Sequence, residues 1–238
     1  MKLTSSIFEY SSYIKEEDNG SRRYVTPTGK LPSVTTILGA TKPEATRHIL
    51  ESWRNAIGNY MADQITYEAS CRGTRVHKYL ENYILTGEFK PPGNNPYAKE
   101  AHMMAGKIID YGLMNVDAYW GAEVELYFPG IYAGTTDLVG THIGMPTIMD
   151  FKQSNRIKPD DQVEDYKLQL VAYSEAHNEL YNTNIQKGVI LLSVRPEQPR
   201  PGVFQYPRYQ EWILEGNEYN KYKTLWWKRV EEYYLLDQ

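Results

Sequence analysis

A single cysteine, Cys71, occurs in the 238 residues. Its isolation excludes an internal disulfide framework, a four-thiolate iron–sulfur cluster and a cysteine-type zinc site. Any metal must be held by carboxylates and histidine. No apolar run approaches the ~20 residues that a membrane span needs. Residues 1–19 have neither the apolar stretch of a secretion signal nor the arginine-rich, acid-poor character of a transit peptide. These absences predict a cytoplasmic protein with no membrane partner. Also absent is any Gly-x-x-x-x-Gly-Lys-Ser/Thr loop, so the chain has no nucleotide-driven motor. Internal repeats and low-complexity stretches are missing too, which excludes a solenoid or a linker-like chain.

With 41% hydrophobic residues a chain of this length can bury a real core, and one domain over residues 1–238 is expected. The net charge of −4 argues at first against a polyanionic partner. The charge is uneven, however. Residues 22–78 hold nine Lys or Arg and four Asp or Glu, a local balance of +5, so the remainder carries −9. A basic channel on an acidic body fits that distribution, as does a solvated face.

Helical and strand patterns occur in mixed order, which predicts an α/β or α+β class. After an irregular start rich in Tyr and Ser, Ser33 and Val34 read as a helix start. Residues 43–64 read as helical, with Ile49, Leu50, Trp53 and Ile57 at helical spacing. A second helix is predicted over 69–85, stopped by Gly87, and another over 97–114 beyond a Pro- and Gly-rich loop. The period then changes. Residues 123–127, 131–139 and 146–152 read as three strands, 162–181 as a helix, 188–194 as a buried strand and 208–234 as a long closing helix. In outline this is a mainly helical part over 1–118, a sheet core with one helix over 119–195 and a helical end over 196–238.

The chemistry gathers on the middle strands. Asp150 and Lys152 lie two apart, so their side chains leave one face while Phe151 points to the other. Asp137, on the preceding strand, reaches Asp150 if the two strands pair as a hairpin through Gly140 and Gly144. Two carboxylates then face one point. Such hard oxygen ligands suit Mg²⁺ or Mn²⁺, which would polarise a phosphodiester and acidify an attacking water. Lys152 would orient or deprotonate that water and offset developing charge. Asp-x-Lys alone occurs by chance in most proteins, so the surrounding pattern decides.

That pattern includes Gly73 and His77 on a helix, Gly134 and Asp137 on a strand, Asp150 and Lys152 on the next, and Gln169 and Tyr173 at i, i+4. In this order the chain resembles the RecB-type branch of the PD-(D/E)XK nucleases. Residues 32–38 with Trp53, and Gln169 to Tyr173, are similar to the stand-alone exonucleases of that branch, the mitochondrial genome maintenance exonuclease and its bacteriophage relatives, over residues 30–194. The resemblance implies a restriction-endonuclease-like core, a mixed central sheet flanked by helices with an added helical N-terminal region. It implies Asp137, Asp150, His77 and the Phe151 carbonyl as metal ligands, and Lys152 as the catalytic lysine. Gln169 and Tyr173 are expected to position the lysine and the DNA. A lone helical histidine is otherwise poor metal evidence.

DNA contacts are less specified. Ser33 and Thr35 at a helix start offer hydroxyl and N–H groups to a phosphate, although Ser there is commonly a plain cap. Arg72 and Arg75 share a helix with His77 and are expected to reach an adjacent phosphate. Glu81, one turn after His77, either orients the imidazole or makes a surface contact. Either Glu123 or Glu125 could approach the metal site, yet alternating strand acids usually face solvent, so both are left outside the catalytic set. The expected activity is metal-dependent DNA hydrolysis from free ends, preferring single strands, in a phage or bacterial setting where a separate helicase or replication protein supplies unwinding. The competing readings are a structure-specific or restriction-like endonuclease on the same core, and a non-catalytic DNA-binding module.

Overall fold

The computed structural model describes residues 7–18, 20–197 and 205–236. It is a mixed α/β arrangement in which a five-stranded sheet, ordered β4-β5-β6-β7-β8, lies between two layers of helices. The strands are β4 (Val116–Phe128), β5 (Tyr132–His142), β6 (Met145–Ser154), β7 (Gly188–Val194) and β8 (Arg208–Leu214). Neighbours pair antiparallel except β6 and β7, which are parallel. A parallel pair needs a crossover, and α5 (Glu164–Tyr181) supplies it. Every residue of β7 is buried, as expected for a central strand covered on both faces.

One face of the sheet packs Val139, Ile148, Ile190 and Leu192 against α5, α1 (Val34–Ala40) and α6 (Gly216–Leu236). The other packs Leu138, Met149, Phe151, Val189 and Leu191 against α3 (Asn59–Thr86) and α4 (Pro96–Tyr111). Capping follows the local sequence. The Ser33 side chain accepts from Thr36 N–H at the start of α1, and Asn95 accepts from Tyr97 N–H where Pro96 opens α4. Among the described residues no helix is long and apolar enough to cross a membrane.

Three expectations are corrected. The irregular start folds instead into an antiparallel meander, β1 (Ile14–Asp18), β2 (Ser21–Thr26) and β3 (Gly29–Pro32), joined to the main sheet by a bridge between Ser33 and Ala133. The part before residue 118 is therefore not helical throughout. The helix expected over 43–64 is cut at Gly58, whose φ of 83° ends α2 (Glu44–Ile57) and lets α3 leave in a new direction. The long closing helix is a strand followed by a helix: β8 pairs with β7, and Gly216 at φ 57° turns the chain into α6. On α2 the apolar positions form a stripe, yet no residue of that helix is buried.

Candidate active site

The ladder between β5 and β6 ends at the Leu138–Met149 pair, whereas β6 keeps pairing with β7 as far as Ser154. Beyond Met149, the edge of β6 that faces β5 is open. Asp137, the next residue of β5, reaches into the opening, and its Oδ2 accepts a 2.6 Å hydrogen bond from Phe151 N–H. The N–H and C=O of one strand residue leave by the same edge, so the Phe151 carbonyl faces this opening as well.

Asp150 and Lys152 share the face toward α5. The Lys152 ammonium rests on Asp150 Oδ2, donates to Gln169 Oε1 at 3.0 Å and lies 5.0 Å from the Tyr166 ring centroid. Tyr166, Gln169 and Tyr173 recur at i, i+3 and i+7 and so share one face of α5. Apart from the lysine contact, Asp150 Oδ2 has no hydrogen-bond partner, although the residue is only 3% exposed. The Tyr173 ring covers Gly134, where a Cβ would stand 2.6 Å from Tyr173 Cε1. The glycine of the Gly-x-x-Asp pattern thus lets α5 approach the strand carrying Asp137.

His77 enters from α3, with Nδ1 3.1 Å from Asp137 Oδ1 and 3.9 Å from Glu123 Oε1. Its helix is fastened to β6 beside Lys152: Gln153 donates to the Ala69 carbonyl at 3.0 Å and accepts from Arg72 Nε at 2.8 Å. Among the described residues Glu81 makes no ion pair with His77, whose acidic neighbours are Asp137 and Glu123.

Burial and charge compete at every member. Burial pushes the Asp150 carboxyl up to about 6 against the pull of Lys152. Burial also works against the Lys152 ammonium, but Asp150 and Asp137 outweigh it and hold the amine above its ordinary value. For Asp137 burial is again opposed, here by His77, and the carboxyl ends below its usual range. His77 is lifted to about 10 because Asp137 overcomes desolvation. Imidazolium and ammonium together offset the two buried carboxylates. Tyr173 stays neutral, raised first by burial and then by Asp150, with Arg22 acting in the opposite sense.

The donor set suits a hard divalent cation. His77, Glu123 and Asp137 bring ligand atoms within 4.8 Å of one another, Phe151 adds a carbonyl, and Asp150 has a buried oxygen whose one contact among the described residues is the Lys152 ammonium. Carboxylate and carbonyl oxygens with one imidazole fit Mg²⁺ or, given the nitrogen, Mn²⁺.

The residues expected at DNA do not line the opening beside Asp150. Ser33 is a buried cap whose hydroxyl is engaged with Thr35, Thr36 and the Thr36 N–H, and whose own N–H bonds the Arg22 carbonyl. Arg72 is 6% exposed and held by Gln153, Asn155 and Glu100, so its donors face protein. Arg75 lies two residues from His77, about 200° around the helix, and lines a separate depression of about 340 Å³ with Tyr67, Tyr97 and Arg195. Thr35 is exposed and lines a depression of about 840 Å³ with Lys15, Arg22, Thr36 and Tyr233. Three residues at or beside the site were missed. Tyr166 was readable from its spacing to Gln169, Arg22 only as one member of the basic segment, and Glu123 as a strand acid able to approach the metal site that was set aside as solvent-facing.

No family model matches the sequence, and no curated protein matches it. Among solved structures, the chain is similar to a protein from Eubacterium rectale that is provisionally called an exonuclease, with a TM-score of 0.48 and 16% identity. The match covers 69% of this chain and 64% of that one, so the chain spans a little under two thirds of that neighbour's length.

Proposed function

We propose that this protein is a divalent-cation-dependent deoxyribonuclease with a restriction-endonuclease-like core of the PD-(D/E)XK type. In this reading it hydrolyses DNA from free ends and prefers single strands. The observation that carries it is the opening between β5 and β6, where Asp137 bonds Phe151 N–H and Asp150 contacts Lys152. A helix histidine, two carboxylates, a strand carbonyl and a lysine converge there from three elements, α3, β5 and β6.

Asp137, Asp150, His77 and the Phe151 carbonyl would hold the cation. Bound there, it supplies Lewis acidity to a phosphodiester and to the attacking water. Lys152 enters as an ammonium, because its carboxylate neighbours favour the charged form, so its role is to stabilise developing negative charge. Gln169 fixes the position of its Nζ, and Tyr166 and Tyr173 wall the site on the α5 side. Arg22 is exposed, makes no ion pair among the described residues and is the cation whose field reaches Tyr173. It is therefore the first candidate to receive the strand's phosphates, ahead of Arg72 and Arg75. With no motor loop in the sequence, unwinding falls to a separate helicase or replication protein.

The test is digestion of end-labelled linear single strands, linear duplex and closed single-stranded circles with Mg²⁺, Mn²⁺ or EDTA. Loss of end label from linear strands, dependent on metal and abolished in Asp150→Ala, is the expected result. Cleavage of circles at the same rate would favour the endonuclease reading, and full activity of folded Asp150→Ala would overturn the site.

A further inference from the structure

Glu123 stands in the middle of β4 at φ 51°, a left-handed conformation that glutamate seldom adopts. The consequence is visible in the packing. Ala122 lies against the cluster under α3 and α4, whereas Val124 and Leu126 belong to the cluster under α5 and α6. Residues two apart on a regular strand share a face, so the chain changes faces at Glu123. This is the point where β4 passes Asp137, since Ala122 pairs with Leu138 and Val124 with Thr136. The turn delivers the Glu123 carboxylate beside His77 and Asp137.

Its neighbour in sequence, Glu125, is committed elsewhere: it accepts from Tyr13 N–H and pairs with Lys15 at 2.8 Å, tying β4 to the N-terminal meander. Glu123 has no such partner. Within the described residues its one charged contact is His77, and its side chain keeps 39% of its surface exposed. The ligand atoms of His77, Glu123 and Asp137 lie within 4.8 Å of one another. Asp150, 3% exposed, lies next to this cluster, and its Oδ2 has the Lys152 ammonium as its one contact among the described residues.

We propose that Glu123 is a further ligand of the divalent cation, completing with His77 and Asp137 a three-sided set that favours Mn²⁺ over Mg²⁺. The proposal rests on the reading of the site as metal-dependent. Its physical basis is charge and softness. A second accessible carboxylate beside Asp137 offsets the cation's charge, and the imidazole nitrogen suits a transition ion better than Mg²⁺. Glu123 also lies on the solvent side of the cluster, so it can engage the ion without rearranging the buried pair Asp150 and Lys152.

The decisive variant is Glu123→Asn, because asparagine accepts the left-handed backbone more readily than glutamate while removing the charge and shortening the reach. In EDTA its unfolding temperature should stay level or rise by about 2 °C. Mn²⁺ affinity, read from the free-ion electron paramagnetic resonance signal on the full chain, should fall by at least about 100-fold, beyond the roughly 10–100-fold lost when a residue that only supports a ligand is removed. Glu123→Gln should show the same loss. A folded Glu123→Asn or Glu123→Gln that binds Mn²⁺ as tightly as wild type, while Asp137→Asn does not, overturns the assignment and leaves the wider reading standing. Wild-type protein that binds no Mn²⁺ overturns both. If Glu123→Asn loses stability and affinity together while Glu123→Gln keeps full affinity, Glu123 is a structural residue and the proposal fails.

Discussion

On the proposed reading Asp150 is buried at a cost that a bound cation reverses, so Asp150→Asn should stabilise the metal-free protein while abolishing cleavage. Burial moves this carboxyl from 3.8 to about 6. At roughly 1.4 kcal/mol per unit, that is about 3 kcal/mol of folding stability missing once the group is ionised in both states. Asparagine has nearly the same volume and still offers Lys152 an oxygen, but it forfeits part of the ion attraction, so a net gain of about 1–2 kcal/mol is expected. For a chain of this size that is an unfolding temperature higher by roughly 2–6 °C. The sign fixes the pH window. A raised folded pKa contributes stability below the unfolded value, and that contribution disappears as pH rises through the folded value. The variant's advantage should therefore be small near pH 4, grow toward pH 6 and level off above 7. Thermal or urea unfolding in EDTA across that range measures it. Mn²⁺ at about 100 times its dissociation constant should then add about 2.7 kcal/mol to wild type alone and invert the order. If the variant is the less stable protein at pH 8 in EDTA, or the gap does not change between pH 4 and 7, Asp150 is not a frustrated ligand.

Lys152→Ala should lower the cleavage rate about 10²–10⁴-fold with Mn²⁺ and DNA affinity largely kept; affinity falling in step with rate would reduce the lysine to a phosphate contact. Gly134→Ala puts a Cβ 2.6 Å from Tyr173 Cε1, and because Tyr173 is buried the clash should cost about 1–3 kcal/mol in urea unfolding. Relief in Gly134→Ala/Tyr173→Leu, but not in Gly134→Ala/Tyr173→Phe, would locate it, and a wild-type midpoint for the single variant would refute it. His177 sits fully buried between Tyr10 and Thr183, with burial pushing its pKa down to about 4. The unfolded chain takes up a proton below about 6.5 while the folded one does not, so up to about 3 kcal/mol of stability should be lost as pH falls from 6.5 to 4. The difference between wild type and His177→Gln isolates that slope from the opposing one of Asp150, and identical slopes would rule it out.

Elements with a strong local signal were legible. The run in β7 is apolar from Val189 to Leu192, with Ser193 its one polar side chain, and its bounds agree with the expected strand. Ser33 announces α1 because the cap is a short-range bond. The misread segments share a physical cause. The RYQEWIL sequence of β8 mixes aromatic, polar and apolar residues without a clean period, and only pairing with β7 decides that it is extended. The meander near the amino terminus exposes most of its side chains, so alternation had little contrast to display. On α2 the helical period was genuine, but it marks an exposed stripe and not a core face.

For the site, the sequence conveys residue types and intervals, whereas direction depends on the backbone. Asp150 and Lys152 were readable as neighbours because strand alternation leaves no other arrangement. Gln169 was readable with Tyr173 because a helix aligns positions four apart. The same rule, applied to Arg75 and His77, puts them on opposite sides of α3. Proximity in sequence is no guide there, and only the rotation of about 200° separates the residue beside Asp137 from one lining another depression. Arg72 failed for a different reason: Gln153 and Asn155, 81 and 83 positions away, claim its donors. Glu123 marks the limit of the method. Glutamate carries no preference for positive φ, so nothing in the residue or its neighbours signals that β4 reverses its faces there. The reversal exists because Val124 and Leu126 must reach the α5 layer while Ala122 stays with α3, a demand set by both helix layers at once. The same demand turns an ordinary strand acid toward His77.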